Sequence, residues 1–254
     1  MADIERGGSS FDGLTVDELR VGLGVPELHL FDVVPSTLDV AHRLALAGAP
    51  AGTVVIAERQ TRGRGRAGRP WESPPRSGLW LTLLERPADA SRLQVLTLRL
   101  GLAAARVLDR FATEPVLVKW PNDLHVHGGK VAGVLVEARW RGSAIDWSAI
   151  GVGVNVVAPA GVPGAAGLAP GTRRVDVLAR LVPALRAAAA RPEETLNDDE
   201  LRTYEARDLA RGRACVAPVE GIVRRISPRA ELVVATRAGD VSASAGSLVF
   251  REGA

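Results

Sequence analysis

The stretch Lys119-Trp120-Pro121-Asn122-Asp123-Leu124-His125-Val126-His127-Gly128-Gly129-Lys130-Val131-Ala132-Gly133-Val134-Leu135-Val136-Glu137 decides how this chain folds. Short apolar blocks on either side of a glycine pair read as a β-hairpin turning at Gly128-Gly129, between Leu124-His125-Val126 and Val131 to Glu137. A strand from Val116 to Trp120 leads in. Trp147 to Val157, interrupted by Gly151 and Gly153, carries the sheet on. Upstream, Leu93 to Phe111 repeats apolar residues at helical spacing through Leu96, Leu100, Ala103 and Val107, whereas Gly52 to Glu58 and Leu79 to Leu84 are apolar blocks of strand length. Helical and strand periods interleave, so the expected class is α+β, a mixed sheet with helices.

The flanks read differently. Residues 1–30 mix Gly, Ser and acids with a weak amphipathic stretch and read as an arm or short helix. Pro35-Ser36-Thr37 then precedes a helical run through Leu38, Val40, Ala41, Leu44 and Ala45, with Ser36 or Thr37 as its N-cap. Beyond a Gly/Pro/Ala loop at 158–171, Val175 to Ala190 and Leu201 to Leu209 are helical. From Gly212 onward short apolar runs separated by Gly and Asp suggest a small β-barrel. The expected division is therefore an arm at 1–30, a main domain at 31–209 and a β domain at 210–254.

At 254 residues, 46% hydrophobic and 24% charged, the chain is neither disordered, collagenous nor coiled coil. A formal charge of +3 implies no general nucleic-acid coat. The single cysteine, Cys215, forms no internal disulfide and reads as β-barrel core. The acidic first twenty residues are no signal peptide, and no run of eighteen apolar residues occurs, so a cytoplasmic, non-membrane protein is expected.

Thirty of the thirty-two basic residues are arginine; Lys119 and Lys130 alone are lysine, and both lie within one twelve-residue segment that includes the hairpin turn. Lysine retained there points to a need for a compact ammonium. Asn122, Asn155 and Gln60 belong to equally scarce types. Between two strands lies Gln60-Thr61-Arg62-Gly63-Arg64-Gly65-Arg66-Ala67-Gly68-Arg69. Its Gly63-x-Gly65-x-x-Gly68 spacing matches a dinucleotide fingerprint only formally, since Arg69-Pro70-Trp71 and Pro74-Pro75 forbid the helix that must follow. What remains is a set of guanidiniums on a glycine-flexible backbone, suited to a small polyanion.

Taken in order, Ser36-Thr37, Glu58-x-Gln60, Gly63-Arg64-Gly65-Arg66-x-Gly68-Arg69-x-Trp71, Lys119-Trp120-Pro121-Asn122-Asp123-Leu124, Lys130-x-x-Gly133-x-Leu135-x-Glu137 and Gly151-x-Gly153-x-Asn155 resemble the biotin protein ligases. The resemblance covers most of the chain from Ser36 onward. It implies a catalytic domain at 31–209 related to class II aminoacyl-tRNA synthetases and lipoate ligases, with an SH3-like barrel at 210–254. It also implies a reaction: biotin and ATP give biotinyl-5′-AMP, and biotin then passes to a lysine of a biotin carboxyl carrier protein, with Mg²⁺ required. Without a winged helix, operator DNA binding is not expected. The expected oligomeric state is a monomer or weak homodimer.

A carboxylate attacking a phosphorus needs alignment and charge neutralisation, not a general base. The resemblance makes Lys130, Arg66 and Arg64 the catalytic cations. Biotin contacts are expected from Ser36, Thr37, Leu38, Gln60, Gly63, Arg64, Gly65, Arg66, Trp80, Lys130, Gly133 and Leu135. ATP contacts are expected from Arg66, Arg69, Trp71, Lys119, Asn122 and Asn155, and Asp123 is a candidate metal ligand. Structural alternatives stand beside these: Ser36 as a helix cap, Gln60 as a turn residue, Lys119 with Asp123 as an ion pair. Leu38 stands where the family usually has Asn, and the 158–171 loop lacks the aromatic that often packs adenine. His125 and His127 alternate and read as surface residues on one strand face. The competing readings are a lipoate or octanoate ligase of the same fold and a non-catalytic RNA-binding module.

Overall fold

The computed structural model describes residues 8–86 and 90–251. A hairpin of β1 (Ser10–Phe11) and β2 (Leu14–Thr15) leads into α1 (Val16–Leu23) and then β3 (Leu28–Val34). Next come α2 (Thr37–Leu46), β4 (Val54–Gln60), β5 (Gly78–Glu85) and α3 (Leu93–Leu108). β6 (Leu117–Lys119), β7 (Asp123–Val126), β8 (Gly129–Arg141) and β9 (Ala144–Asn155) follow, then α4 (Arg174–Ala189) and α5 (Asp198–Glu205). The chain ends in β10 (Ala214–Ala217), β11 (Gly221–Ile226), β12 (Leu232–Thr236), β13 (Gly239–Ala243) and β14 (Val249–Phe250).

Seven strands form one sheet in the order β3-β4-β5-β9-β8-β7-β6; β3 and β4 run parallel and the other neighbours antiparallel. Val54 to Ala57 are fully buried because both faces are covered. On one face α3 and α4 bury Leu98, Leu100, Leu108, Leu178, Leu181 and Leu185 against Leu79, Leu81 and Leu83. On the other, α2 packs Leu38, Val40 and Ala41 against Val55, Ala57 and Ala149. That second face carries the cleft described below.

The arm is more structured than its composition suggests. A capping box, in which Thr15 and Glu18 satisfy each other's backbone N–H groups, starts α1. Phe11 is buried, with the Arg174 guanidinium 4.1 Å from its ring centre, and Arg174 pairs with both Asp12 and Glu58. The sheet begins at Leu28, within the stretch expected to be arm; residues 1–7 lie outside the described residues.

The C-terminal strands form a five-stranded antiparallel sheet, order β13-β12-β11-β10-β14, with β13 and β14 as its edges rather than a closed barrel. Cys215 is buried there, as expected. Trp120 anchors this sheet to the main domain by donating from Nε1 to the Ala230 carbonyl at 2.9 Å. Among the described residues no helix is long and apolar enough to cross a membrane.

Candidate active site

The pairing register stacks Gly133, Gly153 and Trp80 across three neighbouring strands on the α2 face, with Leu135, Gly151 and Thr82 in the next row. The glycines leave a shallow floor. A Cβ on Gly153 would lie 2.5 Å from the Trp71 ring, and one on Gly151 would lie 3.2 Å from Leu38, so Trp71 and Leu38 lie flat on the sheet where a side chain would otherwise stand. Above this floor opens a cleft lined by Ser36, Thr37, Leu38 and Gln60 at one end, and by Lys119, Asn122, Asp123 and Lys130 at the other. Arg64, Gly65, Arg66, Arg69 and Trp71 form its lid side.

Ser36 sits at the N-cap of α2, yet its hydroxyl makes no capping bond and is buried without a partner among the described residues. A buried unpaired hydroxyl is costly unless something binds it. Gln60, in contrast, is the last residue of β4 and its amide is engaged. Oε1 accepts from the Thr37 backbone N–H at 2.9 Å, and Nε2 donates to Ser73 Oγ at 2.9 Å. It is therefore a strut for the cleft wall, not a turn residue.

Lys130 lies at the far end. Its Nζ is 2.7 Å from Asp123 Oδ1 and 4.9 Å from the centre of the Trp71 ring. Lys130, Pro70 and Trp71 also line a second, adjoining cleft completed by Asn155, Pro159, Pro163 and Ala165. Asn155 donates to the Lys130 carbonyl at 3.2 Å, and its Oδ1 is buried and unpaired, as is Trp71 Nε1. The two clefts thus share one wall, bordered by unsatisfied polar atoms.

The remaining cations are held in from outside the main sheet. Arg66 donates to the Gly246 carbonyl at 3.1 Å, and burial lowers its pKa, Asp123 acting against the fall. Lys119 Nζ stands 5.0 Å from the centre of the Phe250 ring. Burial lowers the Lys119 pKa as well; Asp123 opposes this, while Lys130, Arg213 and Arg69 add to it.

The profile of the Biotin/lipoate A/B protein ligase family matches residues 30–155. The biotin--[acetyl-CoA-carboxylase] ligase of Mycobacterium tuberculosis is 33% identical over 273 aligned positions, covering 98% of this chain and 99% of that protein. This chain belongs to the family. It is also 37% identical over 148 residues to the bifunctional ligase/repressor BirA of Bacillus spizizenii, although the match spans 56% of this chain and only 46% of that relative. The fold superposes with a TM-score of 0.75 and 26% identity on the biotin protein ligase of Aquifex aeolicus solved with biotin and ATP, covering 89% of this chain and 99% of that one.

Against the family pattern, several expected contacts move. Trp80 is fully buried and does not line the cleft; it meets Trp71 edge-on at 6.3 Å and supports it from beneath. Gly63 lies outside the wall too: a Cβ there would strike the Trp71 carbonyl at 2.4 Å, so its role is close packing of the loop. Asn122 reaches the cleft, and its Nδ2 donates one of its two hydrogens to the Val134 carbonyl at 2.9 Å. Asp123 pairs with Lys130 rather than Lys119, and among the described residues it is the one carboxylate lining the cleft. No group of three or more His, Cys, Asp or Glu that could hold a metal exists among the described residues, so a Mg²⁺ here would rest on the Asp123 carboxylate together with substrate phosphates.

The two histidines part company. His127 is in the turn, with φ 51° and an exposed ring bonded to Thr113. His125 is on β7 with both ring nitrogens buried and unpaired, and burial pushes its pKa down to about 4 against the pull of Asp123. Sequence reasoning also missed Ser247 and Leu248, which close one side of the cleft from the C-terminal sheet. Nothing local marks them; their neighbour Gly246 is joined to Arg66 across 180 residues of sequence.

Proposed function

We propose that this protein is an ATP-dependent biotin ligase. The observation that carries the reading is Lys130 in the wall common to two clefts. One cleft offers apolar groups and the Ser36 hydroxyl, suited to a ureido ring with an aliphatic tail, and cations suited to the carboxylate and phosphates. The other is lined by Asn155, Trp71 and prolines, suited to a nucleotide. Biotin's ring lies toward Ser36 and its carboxylate reaches Lys130. A carboxylate oxygen attacks the α-phosphorus, the P–O bond to the β-phosphate breaks, and pyrophosphate leaves. Lys130 supplies positive charge where the α-phosphate oxygens gain electron density, and Asp123 holds the ammonium in place. Arg66, Arg69 and Lys119 offset the charge of the phosphates.

The lid side keeps water from the mixed anhydride until a carrier lysine arrives. The amine then attacks the acyl carbon, AMP leaves, and the amine's proton passes to solvent. The acceptor is a lysine of a biotin carboxyl carrier protein. Incubation with ATP, Mg²⁺ and labelled biotin or labelled lipoate, with a carrier domain as acceptor, tests the reading. Label transferred from biotin alone is expected, and transfer of lipoate instead would overturn it. Lys130→Ala is expected to abolish biotinyl-AMP formation, and undiminished formation would remove Lys130 from its role.

A further inference from the structure

Arg64 reads from sequence as a ligand-facing cation, but its guanidinium is already committed. Nη1 donates to Asp39 Oδ1 on α2 at 2.7 Å, and Nη2 donates to Glu137 Oε2 on β8 at 3.0 Å. The same Glu137 oxygen receives the His42 Nε2–H at 2.9 Å. His42 in turn accepts from Trp147 Nε1 at Nδ1, 2.9 Å away. An indole nitrogen can only donate, so His42 Nδ1 is the acceptor and its proton resides on Nε2, aimed at Glu137. The hydrogen bond from His42, aided by Arg64, keeps Glu137 below the usual carboxylate range. Donors therefore run Trp147 to His42 to Glu137, and Arg64 bridges Glu137 to Asp39. This ties β9, α2 and β8 to the arginine–glycine loop.

The charge balance matters here. Two carboxylates face one guanidinium and a neutral imidazole, so the Arg64 charge is already compensated. Arg66 has a backbone carbonyl as its hydrogen-bond partner, and neither Arg66 nor Arg69 has an ion-pair partner among the described residues. A guanidinium held by two carboxylates gains little from a phosphate, whereas it fixes a flexible loop well.

We propose that His42 and Glu137 are positioning residues that act through Arg64, so that Arg64 latches the arginine–glycine loop across the cleft instead of gripping phosphate. The kinetic consequence rests on the ligase reading; the latch itself does not. His42→Phe keeps a ring of similar size and removes both nitrogens. In the substrate-free protein, tryptic cleavage after Arg66, followed by mass spectrometry, is expected to rise about tenfold, the ratio for losing one hydrogen bond to a charged group. The KM for biotin in adenylate formation is expected to rise about fivefold, with kcat held within about twofold.

A double-mutant cycle separates this from simple packing. In an Arg64→Ala background, His42→Phe is expected to change neither quantity further, because the link it works through is gone. Equal fold-changes in both backgrounds, or unaltered cleavage in the single variant, would overturn the latch. If His42→Phe fails to fold, Glu137→Gln, which keeps the shape and removes the charge, must show the same pattern, and unaltered cleavage there overturns the proposal equally. Raised cleavage without any biotin labelling in the unmodified protein would retain the latch and reject the ligase reading.

Discussion

Replacing Ser36 with alanine should make the unliganded protein more stable and the enzyme worse. The Ser36 hydroxyl is buried at the start of α2 with no partner, and it lines the cleft. A buried hydroxyl lacking a hydrogen bond costs about 1–3 kcal/mol, so removing it should raise the apo melting temperature, by about 2–4 °C for each kcal/mol in a chain of this size. With biotin present the balance reverses. The proposed hydrogen bond to the ureido group, worth about 1 kcal/mol, is lost, and the biotin KM should rise about fivefold to tenfold. Differential scanning fluorimetry with and without biotin, alongside steady-state adenylate formation, reads both quantities. A helix-capping serine would behave oppositely, its loss costing about 1 kcal/mol of stability. A variant that melts lower while keeping its biotin KM would refute the assignment of this hydroxyl to the ligand.

Gly153→Ala should damage the site far more than Gly133→Ala. The first places a methyl 2.5 Å from the Trp71 ring, the second only 3.3 Å from Lys130 Cε and Trp71, so Trp71 must lift off the sheet in one case and yield slightly in the other. Overpacking of about 1–3 kcal/mol, with a blue-to-red shift in tryptophan emission, checks the difference by melting and fluorescence. Lys119 has its pKa lowered chiefly by burial, so its charge disappears as pH rises at a value below the ordinary 10.5. The KM for ATP should therefore rise on the alkaline side, and Lys119→Arg should remove that limb. Folded His125 takes up its proton near pH 4, whereas an unfolded chain takes it up near 6.5. Stability should then fall as pH drops through that window, by about 3 kcal/mol in all. His125→Phe should flatten this acid limb in urea melts.

Most strands announced themselves through apolar blocks bounded by glycine, because a strand buried on both faces has little other option. The strand Leu28–Val34 did not, since an edge strand with Asp32 and His29 among its residues has a mixed pattern that reads as arm. Scarce residue types located Lys119, Lys130, Gln60 and Asn155. Their roles depended on partners: Gln60 on Thr37 and Ser73, Asp123 on Lys130. The family resemblance makes Trp80 a biotin contact, but only the structure reveals Trp71 lying above it. Arg64 and Arg66 are indistinguishable in a Gly-Arg-Gly-Arg run. Asp39 and Glu137, contributed by distant elements, separate the latch from the free cation.

With Arg64 held by two carboxylates, the other cations set the charge balance of the cleft. Arg66, Arg69, Lys119 and Lys130 line the cleft and Asp123 is its one carboxylate among the described residues, so cations exceed anions there, and neighbouring cations help lower the Lys119 pKa. Like charges held together in a partly desolvated cleft raise the energy of the unliganded state, and a polyanion relieves it. ATP, or pyrophosphate alone, should therefore stabilise the fold even without biotin. Binding at a hundred times the Kd contributes about 2.7 kcal/mol, enough to raise the melting temperature by about 5–10 °C. Because part of the cleft is open to solvent, the shift should shrink as salt rises and the Debye length falls from about 10 Å at 0.1 M to about 3 Å at 1 M. Biotin's shift, which in the proposed reading comes from apolar burial and a Ser36 hydrogen bond, should persist in salt. A pyrophosphate shift indifferent to salt, or absent while biotin's is present, would mean that the cations of this cleft are placed for some purpose other than holding phosphates.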